Sequence, residues 1–254
     1  MANNLIILGF ARSGITILDR IISSDKRLIC LSEINTRYVC PTKPNTPREQ
    51  IKNWYNVDIK KNTTLGEIRG ILEYCEKNNK ILIIRDWSFS SFVPLKYNKF
   101  NPKKTLVTID DIEKKFPDKF KIVCMTRNPV DVWLSMRDSV KTFHDKNLNY
   151  LFEFITDVKI RNLEILKYED FCKNPISILT KIYSQINIPV KKNIELSNKV
   201  IGDINFPMAS RGAILDNVSE LDRRNISNGE IEFLRNKTKA SEICKMLDYK
   251  EDTI

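Results

Sequence analysis

In "NLIILGFARSGITIL" (4–18), Gly9 and Gly14 stand five apart and Thr16 follows two residues later. That is the spacing of a phosphate-binding loop, G-x-x-x-x-G-K-[ST], except that Ile15 takes the lysine position and Arg12 lies inside the loop. Backbone N–H groups at the start of a following helix, aided by its dipole, would hold a phosphate whatever the side chains. Arg12 adds a fixed cation, and Ser13 and Thr16 add hydroxyl donors. Without the lysine, such a loop suits a nucleoside triphosphate with magnesium poorly. Taken alone, the stretch reads more simply as a glycine turn leading into a core helix.

A second constellation lies in "TRNPVDVWLS" (126–135). Arg127 falls just after a predicted strand and Ser135 eight residues later, with Pro129 at or near the first turn of a helix, where its fixed φ is tolerated. Asp131 and Ser135, four apart, share a helical face. Arg127 could take a second phosphate bidentately while Ser135 donates a hydroxyl bond. Arg-Asn-Pro is equally a turn before a helix, and Asp131 a first-turn partner of the helix dipole.

The elements that must position these groups alternate along the chain. "LIIL" (5–8), "RLICL" (27–31), "KILIIR" (80–85), "KFKIVCMT" (119–126) and "NLEILKY" (162–168) read as strands, several of them continuously apolar, as strands buried on both faces are. Helical spacing appears in "ITILDRIIS", in "TLGEIRGILEYCEK" (64–77), in "VDVWLSMRDSV" (130–140) and in "ISILTKIYSQI" (176–186). Strands separated by helices imply parallel pairing through right-handed crossovers, hence a three-layer α/β fold of P-loop-like type, its central parallel sheet flanked by helices. Ligands of such sheets bind beyond the carboxyl ends of the strands.

Three segments interrupt the alternation. "PTKPNTPREQ" (41–50) and "SFSSFVPLKYNKFNPKK" (88–104) are expected to be long loops or lids over one end of the sheet, and "GDINFPMASRGAILDN" (202–217) is irregular. Ser227 to Glu230 has capping-box spacing, so the tail is expected to close with helices. No repeat or boundary divides the chain, and 254 residues are most simply one domain, 1–254.

Composition narrows the partners. Apolar residues make up 42% and charged residues 29%, as in an ordinary globular protein rather than a disordered or fibrous one. Forty-two Lys and Arg against 32 Asp and Glu give a net charge of +10, which favours an anionic ligand. No run interleaves basic and aromatic residues on one face, so nucleic acid is not expected. The six cysteines, at 30, 40, 75, 124, 172 and 244, include no C-x-x-C pair, which argues against zinc and a disulfide framework and for a reducing compartment. Cys75 and Cys124 fall on apolar stripes. A strand predicted in the first residues leaves no room for a signal peptide, and no apolar run approaches a bilayer span, so the expected location is cytoplasmic.

Together the motifs resemble those of the sulfotransferase family, which moves a sulfuryl group from 3'-phosphoadenosine 5'-phosphosulfate (PAPS) to an acceptor hydroxyl or amine. "ARSGITIL" is similar to the family's 5'-phosphosulfate loop, [KR]-S-G-T-T, and "TRNPVDVWLS" to its 3'-phosphate motif, R-N-P-x-D-x-x-x-S. "ILKYEDFCKNP" (165–175) resembles a third family segment, and the three fall in the family's order. The resemblance implies that Arg12, Ser13, Gly14, Thr16 and the N–H of Ile15 bind the 5'-phosphosulfate, and that Arg127 and Ser135 bind the 3'-phosphate. The family's late basic-glycine element corresponds to Ser210, Arg211 and Gly212. The implied donor is PAPS, the product 3'-phosphoadenosine 5'-phosphate (PAP), and no metal is required. Ile15 departs from the usual first threonine, which removes a hydroxyl and is expected to lower cofactor affinity.

By analogy with phosphoryl transfer, Arg12 would neutralise charge on the leaving oxygen. An acceptor hydroxyl must also lose a proton to a base within hydrogen-bond reach. The only histidine, His144, lies in the polar stretch "TFHDKN" and is expected at the surface. Glu33 in "LSEINTRY", just past the second strand, is the better candidate, since other branches of the family place a catalytic glutamate there; it is equally a surface carboxylate paired with Arg37 at helical spacing. Asp86 in "IIRDWSF" is the runner-up, with Arg85 beside it able to bind cofactor or acceptor and Trp87 expected to pack. The implied acceptor is a small molecule or glycan, with the lysines near the expected lids favouring an anionic one; the sequence leaves its identity and the oligomeric state open. Two other classes stay open. A P-loop kinase fits the glycine spacing but not Ile15 or the lack of a clear magnesium aspartate after an apolar strand, and a binding protein with a vestigial nucleotide site fits Ile15 and the missing histidine base.

Overall fold

The computed structural model describes residues 3–38, 45–95, 101–139, 144–194, 196, 218–219 and 222–250. Its elements run β1 (Asn4–Gly9), α1 (Ile15–Ser23), β2 (Leu28–Ile34), α2 (Pro47–Tyr55), α3 (Thr64–Lys77), β3 (Ile81–Asp86), α4 (Phe89–Phe92), α5 (Val107–Lys115), β4 (Phe120–Thr126), α6 (Pro129–Ser139), α7 (His144–Ile160), β5 (Glu164–Lys167), α8 (Tyr168–Lys173), α9 (Pro175–Gln185), α10 (Asn228–Lys237) and α11 (Ala240–Met246). The five strands form one wholly parallel sheet in the order β2-β3-β1-β4-β5. Helices cover both faces, which makes the fold the three-layer α/β arrangement expected.

Period-two alternation assigns each strand residue to a layer. Leu5, Ile7, Cys30, Ile83 and Met125 pack against α1, α8 and α9, while Ile6, Leu8, Leu31, Ile84 and Cys124 pack against the helices of the opposite face, α3, α5, α6 and α7 among them. Both faces are buried, which is why these strands read as unbroken apolar runs. Leu234, Ala240, Ile243 and Leu247 of the terminal helices join the second of these layers. Among the described residues, no helix is long and apolar enough to cross a membrane.

Strand order also sets where a ligand could sit. From β1 the chain passes through α1 to β2 at one edge, whereas from neighbouring β4 it passes through α6 and α7 to β5 at the other. The connections leaving β1 and β4 therefore diverge, opening a crevice at their carboxyl ends. The two motifs occupy those two connections.

At the β2 edge the helix α2 stands in for a missing strand. The Gln50 side chain accepts from the Ser32 N–H at 2.8 Å and donates to its carbonyl at 2.7 Å, and the Tyr55 hydroxyl accepts from the Cys30 N–H at 2.7 Å and donates to its carbonyl at 3.2 Å. These bonds satisfy edge groups that would otherwise invite another strand.

Two expectations need correction. Of the expected loop at 41–50, residues from Pro47 onward form α2, started by a capping box of Thr46 and Glu49 with Pro47 in the first turn. Within 88–104, α4 and its flank are core rather than lid: Ser88, Ser90, Ser91, Phe92 and Val93 are all buried. Residues 202–217 lie outside the described residues. The helices α5, α7 and α8 were not anticipated. Much of α7 is β-branched or aromatic, including Phe152, Phe154, Ile155 and Val158, types with weak intrinsic helix preference, and burial of that face decides the matter.

Candidate functional site

The loop after β1 is shaped by two glycines. Gly14 holds φ +84°, and a Cβ there would fall on the ring of Tyr168, so both backbone and space demand glycine. At Gly9 a Cβ would stand 2.8 Å from Ser13 Oγ and 2.9 Å from Ile15 Cδ1. Ser13 thus tucks its hydroxyl under the turn, buried and without a hydrogen-bond partner among the described residues. A buried hydroxyl left unpaired is costly unless something completes it. Arg12 also takes a positive φ, 72°, unusual for a residue with a side chain.

The first helical bonds run from the Ile17 and Leu18 N–H groups to the Gly14 carbonyl. The N–H groups of Gly14, Ile15 and Thr16 precede them, at the positive end of the α1 dipole. The Ile15 side chain turns into the core layer of Leu5, Leu18 and Tyr168, so this position offers an anion its N–H alone. Thr16 is half-buried in the same turn.

The two motifs meet at two points. Arg12 donates from Nε to Ser135 Oγ at 2.7 Å across 123 residues of chain. Arg127 stacks its guanidinium on the Tyr168 ring, 4.9 Å from the centroid, the same ring that abuts Gly14. Glu169, next to Tyr168, accepts from the Asn128 N–H at 2.9 Å and from the Tyr249 hydroxyl at 2.8 Å, pinning the turn that carries Arg127. Asp131 is engaged bidentately by Arg223, at 3.0 and 3.3 Å, in addition to standing in the first turn of α6. Ser210, Arg211 and Gly212 lie outside the described residues, as does the side chain of His144, which opens α7.

Glu33 lies inside β2 rather than past it, at a register shift between Leu31 and Ile34, with φ 54°. It does not pair with Arg37, which instead binds Asp111 at 2.7 Å. It forms an ion pair with Arg85 of β3, at 3.2 Å. Arg85 also donates to Ser32 Oγ at 3.0 Å and lies 3.6 Å from Asp19 of α1, to which the Ser32 hydroxyl donates at 2.8 Å. Burial raises the pKa of Asp19, against the Arg85 charge and the Ser32 hydrogen bond. Arg85 is therefore held by side chains of β2 and α1.

Adjacent Asp86 points to the opposite face of the sheet, as alternation requires, and accepts from the Ser88 hydroxyl at 2.6 Å. Its burial pushes its pKa up to about 6, with the Ser88 bond pulling the other way. Trp87 is half-buried.

Sequence reading missed Asp19, Ser32 and Tyr168 as parts of the site. The available signal was Asp19 itself, an acid on the same helix face as Leu18, Ile21 and Ile22, where only a buried partner would keep it.

Replacing Gly14 by alanine is expected to destabilise the protein by about 2 to 4 kcal/mol, from the left-handed backbone and the collision with Tyr168 together. Thermal unfolding should show a fall of several degrees, and an unchanged midpoint would mean that the loop does not keep this conformation in solution.

The switch point of a parallel α/β sheet thus gathers two arginines, hydroxyls and a helix amino end. Residues 4–192 match the family model described as the sulfotransferase family, and the chain belongs to that family. Solved structures with similar folds include the sulfotransferase domain from the Synechococcus PCC 7002 olefin synthase, at 13% identity and a TM-score of 0.57, covering 98% of this chain and 96% of that one. The sulfotransferase domain from the curacin biosynthetic pathway is 13% identical with a TM-score of 0.53, covering 98% and 99%. The sulfotransferase from Alicyclobacillus acidocaldarius is 14% identical with a TM-score of 0.51, covering 100% and 98%. At such identities the likeness concerns the fold alone. No curated protein matches the sequence.

Proposed function

We propose that this sulfotransferase uses PAPS as donor and transfers its sulfuryl group to a hydroxyl or amine of a small-molecule or glycan acceptor, working as a single domain over 1–254. The observation that carries the reading is the Arg12–Ser135 bond, which joins the loop suited to a 5'-phosphosulfate to the helix suited to a 3'-phosphate. The Ser13 hydroxyl, unpartnered among the described residues, and the N–H groups of the first α1 turn fit an anionic group, and Ile15 is accommodated because only its N–H is needed. Arg12, Ser13, Gly14, Ile15 and Thr16 would hold the 5' end, and Arg127 and Ser135 the 3'-phosphate, with Arg211 and Gly212 a further pair for the same end. No metal is assigned a role, since protein cations and amides would carry the charge.

When bound, PAPS supplies a sulfuryl group joined to a phosphate through a bridging oxygen. Arg12 would lie beside that oxygen and neutralise the charge it gains as its bond to sulfur breaks. Glu33 would accept the proton that the acceptor loses as its new bond to sulfur forms. Glu33 is favoured over Asp86 because it lies on a bulge with a positive φ, a strained placement of the kind found at functional sites, whereas Asp86 is directed into the opposite layer. The net charge of +10 favours an anionic acceptor.

Calorimetry of PAP against ADP and ATP, with and without magnesium, tests the donor. Metal-independent PAP binding is expected, weakened about tenfold or more in Arg127→Ala, the cost of losing one charge-assisted contact. Preference for ATP with magnesium would replace this reading with a kinase.

A further inference from the structure

Glu33 is a residue with a side chain held at φ 54° on an edge strand. Such a conformation persists only where the surroundings over-determine it. Two constraints do so here. From outside the sheet, Gln50 grips both backbone groups of Ser32, at 2.8 and 2.7 Å. From within, Arg85, only 8% exposed in its side chain, reaches the Glu33 carboxylate at 3.2 Å. Arg85 is fixed in turn by a continuous set of bonds: it donates to Ser32 Oγ, whose hydroxyl donates to Asp19, and Asp19 lies 3.6 Å from the guanidinium.

We propose that Arg85 is a positioning residue for Glu33, and that Asp19, acting through Ser32, orients Arg85. The proposal rests on the reading of Glu33 as the base. Asp19 also faces Arg20 of its own helix, and Cys30 and Tyr55 from β2 and α2.

Crystal structures of the wild type and the variants test this without any acceptor. The Glu33 carboxylate is expected to leave its wild-type position in Arg85→Met, and the Arg85 guanidinium to leave its own in Asp19→Asn. Side chains displaced by less than about 0.5 Å would overturn the proposal. Asp19→Asn keeps the shape and the Ser32 bond, so it decides the question even if Arg85→Met does not fold. The second readout is PAP release from PAPS with a panel of phenol, amine and glycan acceptors. Arg85→Met should lower turnover about tenfold or more in the wild-type background, yet less than about twofold when Glu33 is already glutamine. Equal losses in both backgrounds would mean that Arg85 acts independently of Glu33. Full turnover in Glu33→Gln would remove Glu33 as the base, while the crystal structures would still report whether Arg85 positions its carboxylate.

Discussion

Arg12→Ala is expected to lower turnover by about a hundredfold or more, the cost of deleting one preorganised donor at a developing charge. The guanidinium sits on a loop with a positive φ and is oriented by Ser135 at 2.7 Å, so it need not reorganise during reaction. PAP lacks the sulfuryl group but retains the former bridging oxygen as one of its 5'-phosphate oxygens, where the charge is shared and met by the other groups of the loop, so its affinity should fall less than the rate. That split marks an interaction made chiefly in the transition state. PAP release from PAPS, set beside PAP binding by calorimetry, measures both quantities. Losses of similar size in rate and affinity would assign Arg12 to binding, and unchanged transfer would move the chemistry away from this loop. Arg12→Lys is the informative companion, since it keeps the charge but not the planar fork that reaches Ser135 and a ligand together.

Glu33→Gln should cost about a hundredfold to ten-thousandfold in turnover, the usual range for general base catalysis. Glutamine retains the shape of the side chain, and its carbonyl can still accept from Arg85, but it cannot take a proton at neutral pH. PAP affinity is expected to stay within about threefold, since the groups assigned to PAP lie on other elements. The pH profile separates the two candidate bases. Asp86 has a pKa raised to about 6, so a rate limited by its ionised form would fall as pH drops through about 6. Retained activity in Glu33→Gln together with loss in Asp86→Asn would transfer the role to Asp86.

The strands, the long helix α3 and the phosphate-type loop were legible because each depends on local spacing. A continuous apolar run such as "LIIL" can only be buried, and Gly9 and Gly14 five apart impose their own turn. The same reasoning shows where reading failed. Thr46-Pro-Arg-Glu49 carried a capping box and a first-turn proline, yet the surrounding prolines and polar residues outweighed them. In α7 the intrinsic preferences of the residues were overridden by burial, which no local rule contains.

What the sequence by itself determined is the alternation of elements, hence a three-layer parallel α/β fold, and the family whose motifs it resembles. What only the tertiary structure decided is partnership. Strand order β2-β3-β1-β4-β5 sets the loops after β1 and β4 side by side and lets Arg12 reach Ser135 across 123 residues. A bulge in β2 turns Glu33 to Arg85 and away from Arg37, and strand alternation sends the adjacent Arg85 and Asp86 to opposite faces. Local spacing governs which face of an element a residue occupies, but which residues share that face depends on strand order and register, and those are settled only when the whole core packs.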